Sequence, residues 1–204
     1  MSFRIISLLS LILNNMQNKK NKEIEVRFLE VDKSGLKEKL LSLGGADLGE
    51  ELLEEIIFYG KDVAWEGKTK KFVRVRKNSK RVTLAYKDHS VRSLGETEEI
   101  ECVVDDFDKV CLLLERIGLA PFRRQEKRRH TFTLGNVTVD IDTWPSLPTF
   151  VELEGQSEGE LKEAAMKLGL DWKSRHVGSV RELMEEHYNL PVGTYRVYTF
   201  DHIE

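Results

Sequence analysis

Acidic and basic side chains recur at alternate positions in one short segment after another along this chain. Glu23-Ile24-Glu25-Val26-Arg27-Phe28 sets the pattern. As a β-strand it puts Glu23, Glu25 and Arg27 on one face and Ile24, Val26 and Phe28 on the other. Lys71-Phe72-Val73-Arg74-Val75-Arg76 places Arg74 and Arg76 together, and Arg81 to Lys87 aligns Arg81, Thr83, Ala85 and Lys87. In Glu98 to Val104, Glu99 and Glu101 oppose Ile100, Cys102 and Val104. Arg123 to Leu134 aligns Lys127, Arg129, Thr131 and Thr133. Further on, Asp140 and Asp142 alternate with valine and isoleucine, and Glu152 and Glu154 with Val151 and Leu153.

One such strand is an ordinary solvated sheet face. A solvated face would carry Ser, Thr, Asn and Gln as readily as charge. Here it is nearly all charge: Glu23, Glu25, Glu99, Glu101, Asp140, Asp142, Glu152 and Glu154 against Arg27, Arg74, Arg76, Lys87, Lys127 and Arg129, with Arg81 a further candidate. Like charges two residues apart on a strand repel when partly buried, and an unpaired buried charge costs several kcal/mol. Ligands resolve the conflict: a polyanion for the bases and a hard cation for the carboxylates. Oxygen donors without His or Cys point to Mg²⁺ or Mn²⁺. A basic cluster beside a carboxylate-bound divalent ion is what phosphoryl chemistry requires.

The elements that must position these residues number about eight strands, mostly antiparallel by their short turns, with three or four helices. Asp32 and Ser34 can cap a helix striped by Leu36, Leu40 and Leu43 that ends at Gly44-Gly45. An acidic stretch follows, then a strand over Glu54 to Tyr59 with Ile57 and Tyr59 on one side. Asp105-Asp106 can cap a helix bearing Phe107, Val110, Leu114 and Ile117. Ser157-x-x-Glu160 and Ser179-x-x-Glu182 are capping boxes for two more. The tail from Pro191 to Glu204 is expected to be ordered but shows no clear period. Helices with single apolar stripes can cover the apolar side of a sheet. The charged sides then face inward if the sheet curls and closes. An open sheet with a solvated charged face satisfies the same periodicity.

At 204 residues, with a net charge of −3, 33% charged and 40% hydrophobic residues, the chain reads as a soluble globular protein without a bias toward nucleic acid or membrane. Spread-out glycines and prolines leave no linker, so a single domain is expected over 22–190, with an extension over 1–21 and a tail over 191–204. The apolar run from Ile5 to Leu13 is too short for a membrane span and lacks a cleavage site. It reads as a frayed or docked extension, or as a start codon placed too early. Cys102 and Cys111 form no disulfide framework or metal spacing, which fits a reducing cytoplasm. His89, His130, His176 and His187 are scattered and read as surface or edge residues. Trp144 lies two residues past Asp142 on the same face, for packing or for stacking on a base. Arg128 points away from the charged face. A homodimer is neither required nor excluded.

The Glu-x-Glu-x-Arg first strand, the paired Arg74 and Arg76, Lys87, Lys127-Arg128-Arg129, and Asp142 ten residues before Glu152-Leu153-Glu154-Gly155 together resemble the CYTH family. This superfamily is the triphosphate tunnel metalloenzymes: class IV adenylate cyclases, thiamine triphosphatases and inorganic triphosphatases. The resemblance runs from about Lys22 to Tyr188. It implies an α+β fold with an eight-stranded antiparallel β-barrel, a charged lumen and flanking helices. It implies that Glu23, Glu25, Asp142, Glu152 and Glu154 bind metal, and that Arg27, Arg74, Arg76, Lys87, Lys127 and Arg129 bind phosphates, Arg27 and Lys87 in catalytic roles. Arg81, Glu99, Glu101 and Asp140 are expected to line the tunnel. Implied ligands are Mg²⁺ or Mn²⁺ and a small triphosphate: ATP, tripolyphosphate or thiamine triphosphate. The implied reaction is cyclisation of ATP to cyclic AMP and pyrophosphate, or triphosphate hydrolysis; the alternative is a non-catalytic polyphosphate- or nucleotide-binding barrel. One position departs from the family pattern. Its first strand usually ends in Lys, where Arg27 favours bidentate contacts and cannot deprotonate.

Overall fold

The structure is a computed structural model that describes residues 24–60, 71–88 and 98–204. The apolar run near the N-terminus, Glu23 and His89 lie outside the described residues. Eight strands form one antiparallel sheet: β1 (Ile24–Phe28), β2 (Ala46–Tyr59), β3 (Lys71–Lys77), β4 (Val82–Asp88), β5 (Glu98–Val104), β6 (Ala120–Leu134), β7 (Val137–Thr143) and β8 (Phe150–Gly155). They run in the order β1-β8-β7-β6-β2-β3-β4-β5. The sheet curls into a half-barrel. Lys87 on β4 therefore feels the charge of Glu25 on β1, although the two strands stand near opposite ends of the path. Among the described residues β1 and β5 do not pair with each other. The outer edge of β1 is met instead by a two-way backbone bridge between Arg27 and His176, at 2.9 and 2.8 Å. A short strand, β9 (Val197–Tyr198), runs parallel to β6 beside Arg124 and Gln125.

The longest ladder joins β2 to β6 and forms the spine of the sheet. β2 begins at Ala46, eight residues before the strand expected at Glu54. Its acidic first half is strand because the facing half of β6 is basic: Glu50 lies opposite His130 and Glu51 opposite Arg129. Opposite charges directly across an antiparallel pair favour pairing. A register shift between Asp47 and Gly49 marks a bulge, and Gly49 takes φ +94° there, a conformation few other residues tolerate.

Helix α1 (Lys33–Ser42) is capped by Asp32, which accepts from the Ser34 N–H. α2 (Phe107–Arg116) is capped by Asp106, and α3 (Glu158–Leu168) by Ser157. The Ser179–Glu182 capping box opens α4 (Val180–Glu182), which continues into a π-turn over Leu183–His187. On the convex side, Leu36 and Leu40 of α1 and Leu161, Ala165 and Leu168 of α3 bury against Val26, Phe28, Phe132, Val139, Ile141, Val151 and Leu153. Each large apolar side chain so buried stabilises the fold by about 1.5–3 kcal/mol. Cys111 and Leu114 of α2 form a second core with Phe58 and Val75.

α2 stops short of the sheet's edge. The outer side of β5, expected to be a buried apolar face, is exposed: Ile100 is 64% accessible, and Cys102 is exposed as well.

Candidate functional site

Alternation along each strand sends the charged residues to the concave face, and the register fixes their neighbours. Arg27 lies opposite Glu152, which lies opposite Asp140. Glu25 lies opposite Glu154, and Arg129 lies opposite Asp142. On the other wall Arg74 and Arg76 face Ala85 and Thr83 of β4, while Lys87 faces Glu99. β2 closes the middle with Glu55, flanked by Leu53 and Ile57 on the same face.

The bases and acids are interlocked. The Arg27 guanidinium bridges Glu25 and Glu152, donating at 2.7 Å to each, and its third arm donates to the Gly178 carbonyl. Asp142 is completely buried and accepts from Lys127 at 2.7 Å and from Arg129 at 2.7 and 2.6 Å. Arg129 also pairs with Asp140 and Glu152. On the second wall Arg74 reaches Glu99 at 3.1 Å and Glu101 at 3.3 Å, and Lys87 reaches Glu99 at 2.8 Å. Arg76 donates to Glu55 at 2.6 Å.

Burial and neighbours set the titration of these groups. For Arg27 and Arg129, burial lowers the pKa but the surrounding carboxylates overcome it, so both are held more firmly charged. For Lys87, Lys127 and Arg74 burial prevails, assisted by a neighbouring arginine, and their pKa values fall. Burial would raise Glu152 and Glu55, yet the adjacent bases hold both below the ordinary carboxylate range. Asp140 goes the other way: burial raises it, and the field of Arg129 only partly opposes this.

Two expectations need correction, at Arg81 and at His130. Arg81 is exposed in the β3–β4 turn, where its N–H donates to Asn78 Oδ1. It precedes β4 rather than belonging to it, because the Asn78 side chain organises the turn through Lys80 and Arg81. His130 is a buried residue, paired with Asp47 at 2.6 Å and stacked on Phe132. His176 and His187 meet edge to face, with ring centroids 5.3 Å apart, and His176 joins β1 through its backbone. Arg128 is exposed and lies over Phe200, away from the concave face.

Sequence periodicity missed Glu55, Gln125 and Arg123. Glu55 sits between Leu53 and Ile57 in the run Leu52 to Tyr59, which is apolar on both faces and hides any alternation. Gln125 donates to Glu55 at 2.6 Å, and Arg123 donates to Gln125 at 2.8 Å and to the Val192 carbonyl. One end of the concave face is filled by the C-terminal segment. Trp144, Leu147 and Phe150 pack with Leu183, Met184, Val192 and Tyr198 in a buried apolar cluster. Trp144 stacks near Tyr198, and Lys127 Nζ lies 5.2 Å from the centre of its ring.

Five carboxylates from β1, β7 and β8 supply the oxygen-only donor set that suits a hard divalent cation. Glu25, Glu152 and Glu154 could hold it, with Glu23 outside the described residues. Among the described residues no three acidic or histidine side chains already converge to chelate an ion. Arg27 and Arg129 stand between them. Donor chemistry therefore fits, provided these guanidinium groups turn toward an incoming anion.

The CYTH domain model matches residues 21–175. The chain belongs to the CYTH domain family. A Methanocaldococcus jannaschii protein, named as a candidate adenylate cyclase, is 26% identical over 133 residues, covering 65% of this chain and 75% of the relative. The solved PH1012 protein of Pyrococcus horikoshii superposes with a TM-score of 0.66 at 25% identity, covering 79% of this chain and 98% of that one. A Hippeastrum protein whose title reports a dominant triphosphatase activity is 13% identical, with a TM-score of 0.57 over 83% of this chain and 97% of that one. At that identity the likeness concerns the fold alone.

Proposed function

We propose that this CYTH protein is a divalent-metal-dependent enzyme that hydrolyses a triphosphate chain. The observation that carries the reading is the concave face itself: within one curled sheet Arg27, Lys127 and Arg129 meet carboxylates of β1, β7 and β8, while Arg74, Arg76 and Lys87 meet those of β2 and β5. Such a face can release its internal ion pairs to a polyanion and a cation together. The name of the M. jannaschii relative, a candidate adenylate cyclase, supports a nucleoside triphosphate as one substrate class.

In this mechanism Arg74, Arg76, Lys87, Lys127 and Arg129 bind the phosphate oxygens and orient the chain. Arg27 turns from the carboxylates to the phosphates and stabilises charge on the transferring group. Because its pKa is raised, it acts as a fixed cation and not as a proton carrier. Glu25, Glu152 and Glu154 would hold Mg²⁺ or Mn²⁺, which when bound neutralises the developing phosphate charge. Positioning and charge compensation supply the catalysis, with no dedicated base. Hydrolysis is favoured over cyclisation by Trp144. Its ring is buried against Tyr198 and Lys127, so it offers no open platform for adenine.

The test incubates the protein with tripolyphosphate, ATP and thiamine triphosphate plus Mg²⁺ or Mn²⁺. Released inorganic phosphate is expected. Cyclic AMP with pyrophosphate would transfer the reading to a cyclase, and no product from any of them would overturn it in favour of a non-catalytic binder. Glu152→Gln should abolish turnover while leaving anion binding.

A further inference from the structure

Two buried polar atoms on the β3–β4 wall have no hydrogen-bond partner among the described residues: Arg74 Nε and Thr83 Oγ1. Thr83 is 4% exposed and Arg74 7%. Native interiors keep few such orphans, and each calls for an explanation. The register puts Thr83 directly opposite Arg76, and Arg74 opposite Ala85, the next position on that face of β4. Side chains directly opposite lie roughly 4.5–5.5 Å apart at Cβ and diagonal ones roughly 7–8 Å apart. Arg74, Arg76 and Thr83 therefore border one patch of wall, and the small side chain of Ala85 leaves it shallow. Arg74 is already held through its Nη2 by Glu99 and Glu101, which leaves its Nε–H edge as the available donor.

We propose that Arg74 Nε and Thr83 Oγ1, with Arg76 beside them, form an anion subsite that takes one phosphate group of the substrate directly, without a metal. The assignment rests on the triphosphate reading above and adds to it a polarity. Both orphan atoms donate, and a phosphate oxygen accepts from each. Glu25, Asp140, Asp142, Glu152 and Glu154 crowd the β1–β8–β7 wall, whereas Glu55, Glu99 and Glu101 on the other side are engaged by Arg74, Arg76 and Lys87, so the metal-bearing phosphates belong on the first wall. The β3–β4 wall holds the phosphate farthest from the metal. Thr83 is thereby a binding residue that neither the charge pattern nor the family motif marks.

The experiment uses the full chain, in EDTA, titrated calorimetrically with tripolyphosphate, beside thermal unfolding of the free protein. Thr83→Val keeps the shape and removes the donor. It should weaken tripolyphosphate binding about tenfold, the loss of one hydrogen bond to a charged oxygen. It should also raise the Tm of the free protein by about 2 °C or more, because an unsatisfied buried hydroxyl is gone. Thr83→Ser should bind within about twofold of wild type. Arg74→Lys keeps the charge, lacks Nε, and should lose affinity like Thr83→Val. A residue that only packs would give lower affinity and lower stability together in Thr83→Val, or no change in affinity; either result overturns the subsite. Wild-type protein that binds no tripolyphosphate in EDTA overturns the metal-free subsite, and wild-type protein that binds none with Mg²⁺ restored overturns the triphosphate reading itself.

Discussion

At the scale of the residue, the site is a set of charges that satisfy each other until something better arrives. Asp142 shows the cost of disturbing it, since it is fully buried and holds both Lys127 and Arg129. Asp142→Ala should destabilise the protein by about 3–5 kcal/mol, the usual result of stranding buried cations, measured by urea unfolding. The lysines make a second prediction through pH. Lys87 and Lys127 have lowered pKa values in the fold, so they discharge below the ordinary lysine range near about 10.4. Tripolyphosphate affinity should therefore fall as pH rises through their folded values. Between those values and about 10.4 the unfolded chain binds more protons than the folded one, so the stability of the free protein should rise with pH. Affinity and stability move in opposite directions, and Lys87→Arg should flatten both trends. At the acid end the sign differs. Glu152 has a lowered folded pKa, so its contribution is complete above about pH 4.3 and is lost as pH falls through the folded value. Acid unfolding of Glu152→Gln, followed by circular dichroism, should lack that limb.

Elements explain which residues could be found in advance. The first strand, β3 and β8 alternate so strictly that their concave-face residues could be read directly, and Asp32, Asp106, Ser157 and Ser179 marked the helix starts. Among the described residues the structure keeps this alternation and each of these caps. Where both faces of a strand are apolar, as over Leu52 to Tyr59, periodicity loses the face, and Glu55 went unseen. Arg81 erred for the opposite reason: alternation was extended one residue into a turn governed by Asn78. The start of β2 depends on β6, about 80 residues away, and local pattern carries no such information. The apolar stripe of α2 was legible too, but not that β5 would stand beyond its reach. Phe58 and Val75 lie under that helix, both fully buried. Phe58→Ala should cost about 3–5 kcal/mol by thermal or urea denaturation without changing the metal requirement of turnover.

For the whole molecule, the interlocked charges mean that ligand and fold are linked. Under the proposed function a polyanion that replaces internal ion pairs would bind only the folded chain, so tripolyphosphate at a hundred times its Kd should stabilise by about 2.7 kcal/mol. That corresponds to a rise in Tm of roughly 5–10 °C for a protein of this size, read by scanning calorimetry. A single-site curve with no rise would show that the concave face does not take the anion.

The apolar stopper built from Trp144, Phe150, Val192 and Tyr198 has a kinetic corollary. It closes one end of an open trough, so under the proposed function substrate and product would share one concave face. If the protein hydrolyses a triphosphate, spent phosphate would contest the same berth as fresh substrate, and its inhibition should be competitive in steady-state assays. Val192→Ala would hollow the stopper and should lower the Tm, yet leave that pattern competitive, because phosphate would still occupy the site of the free protein.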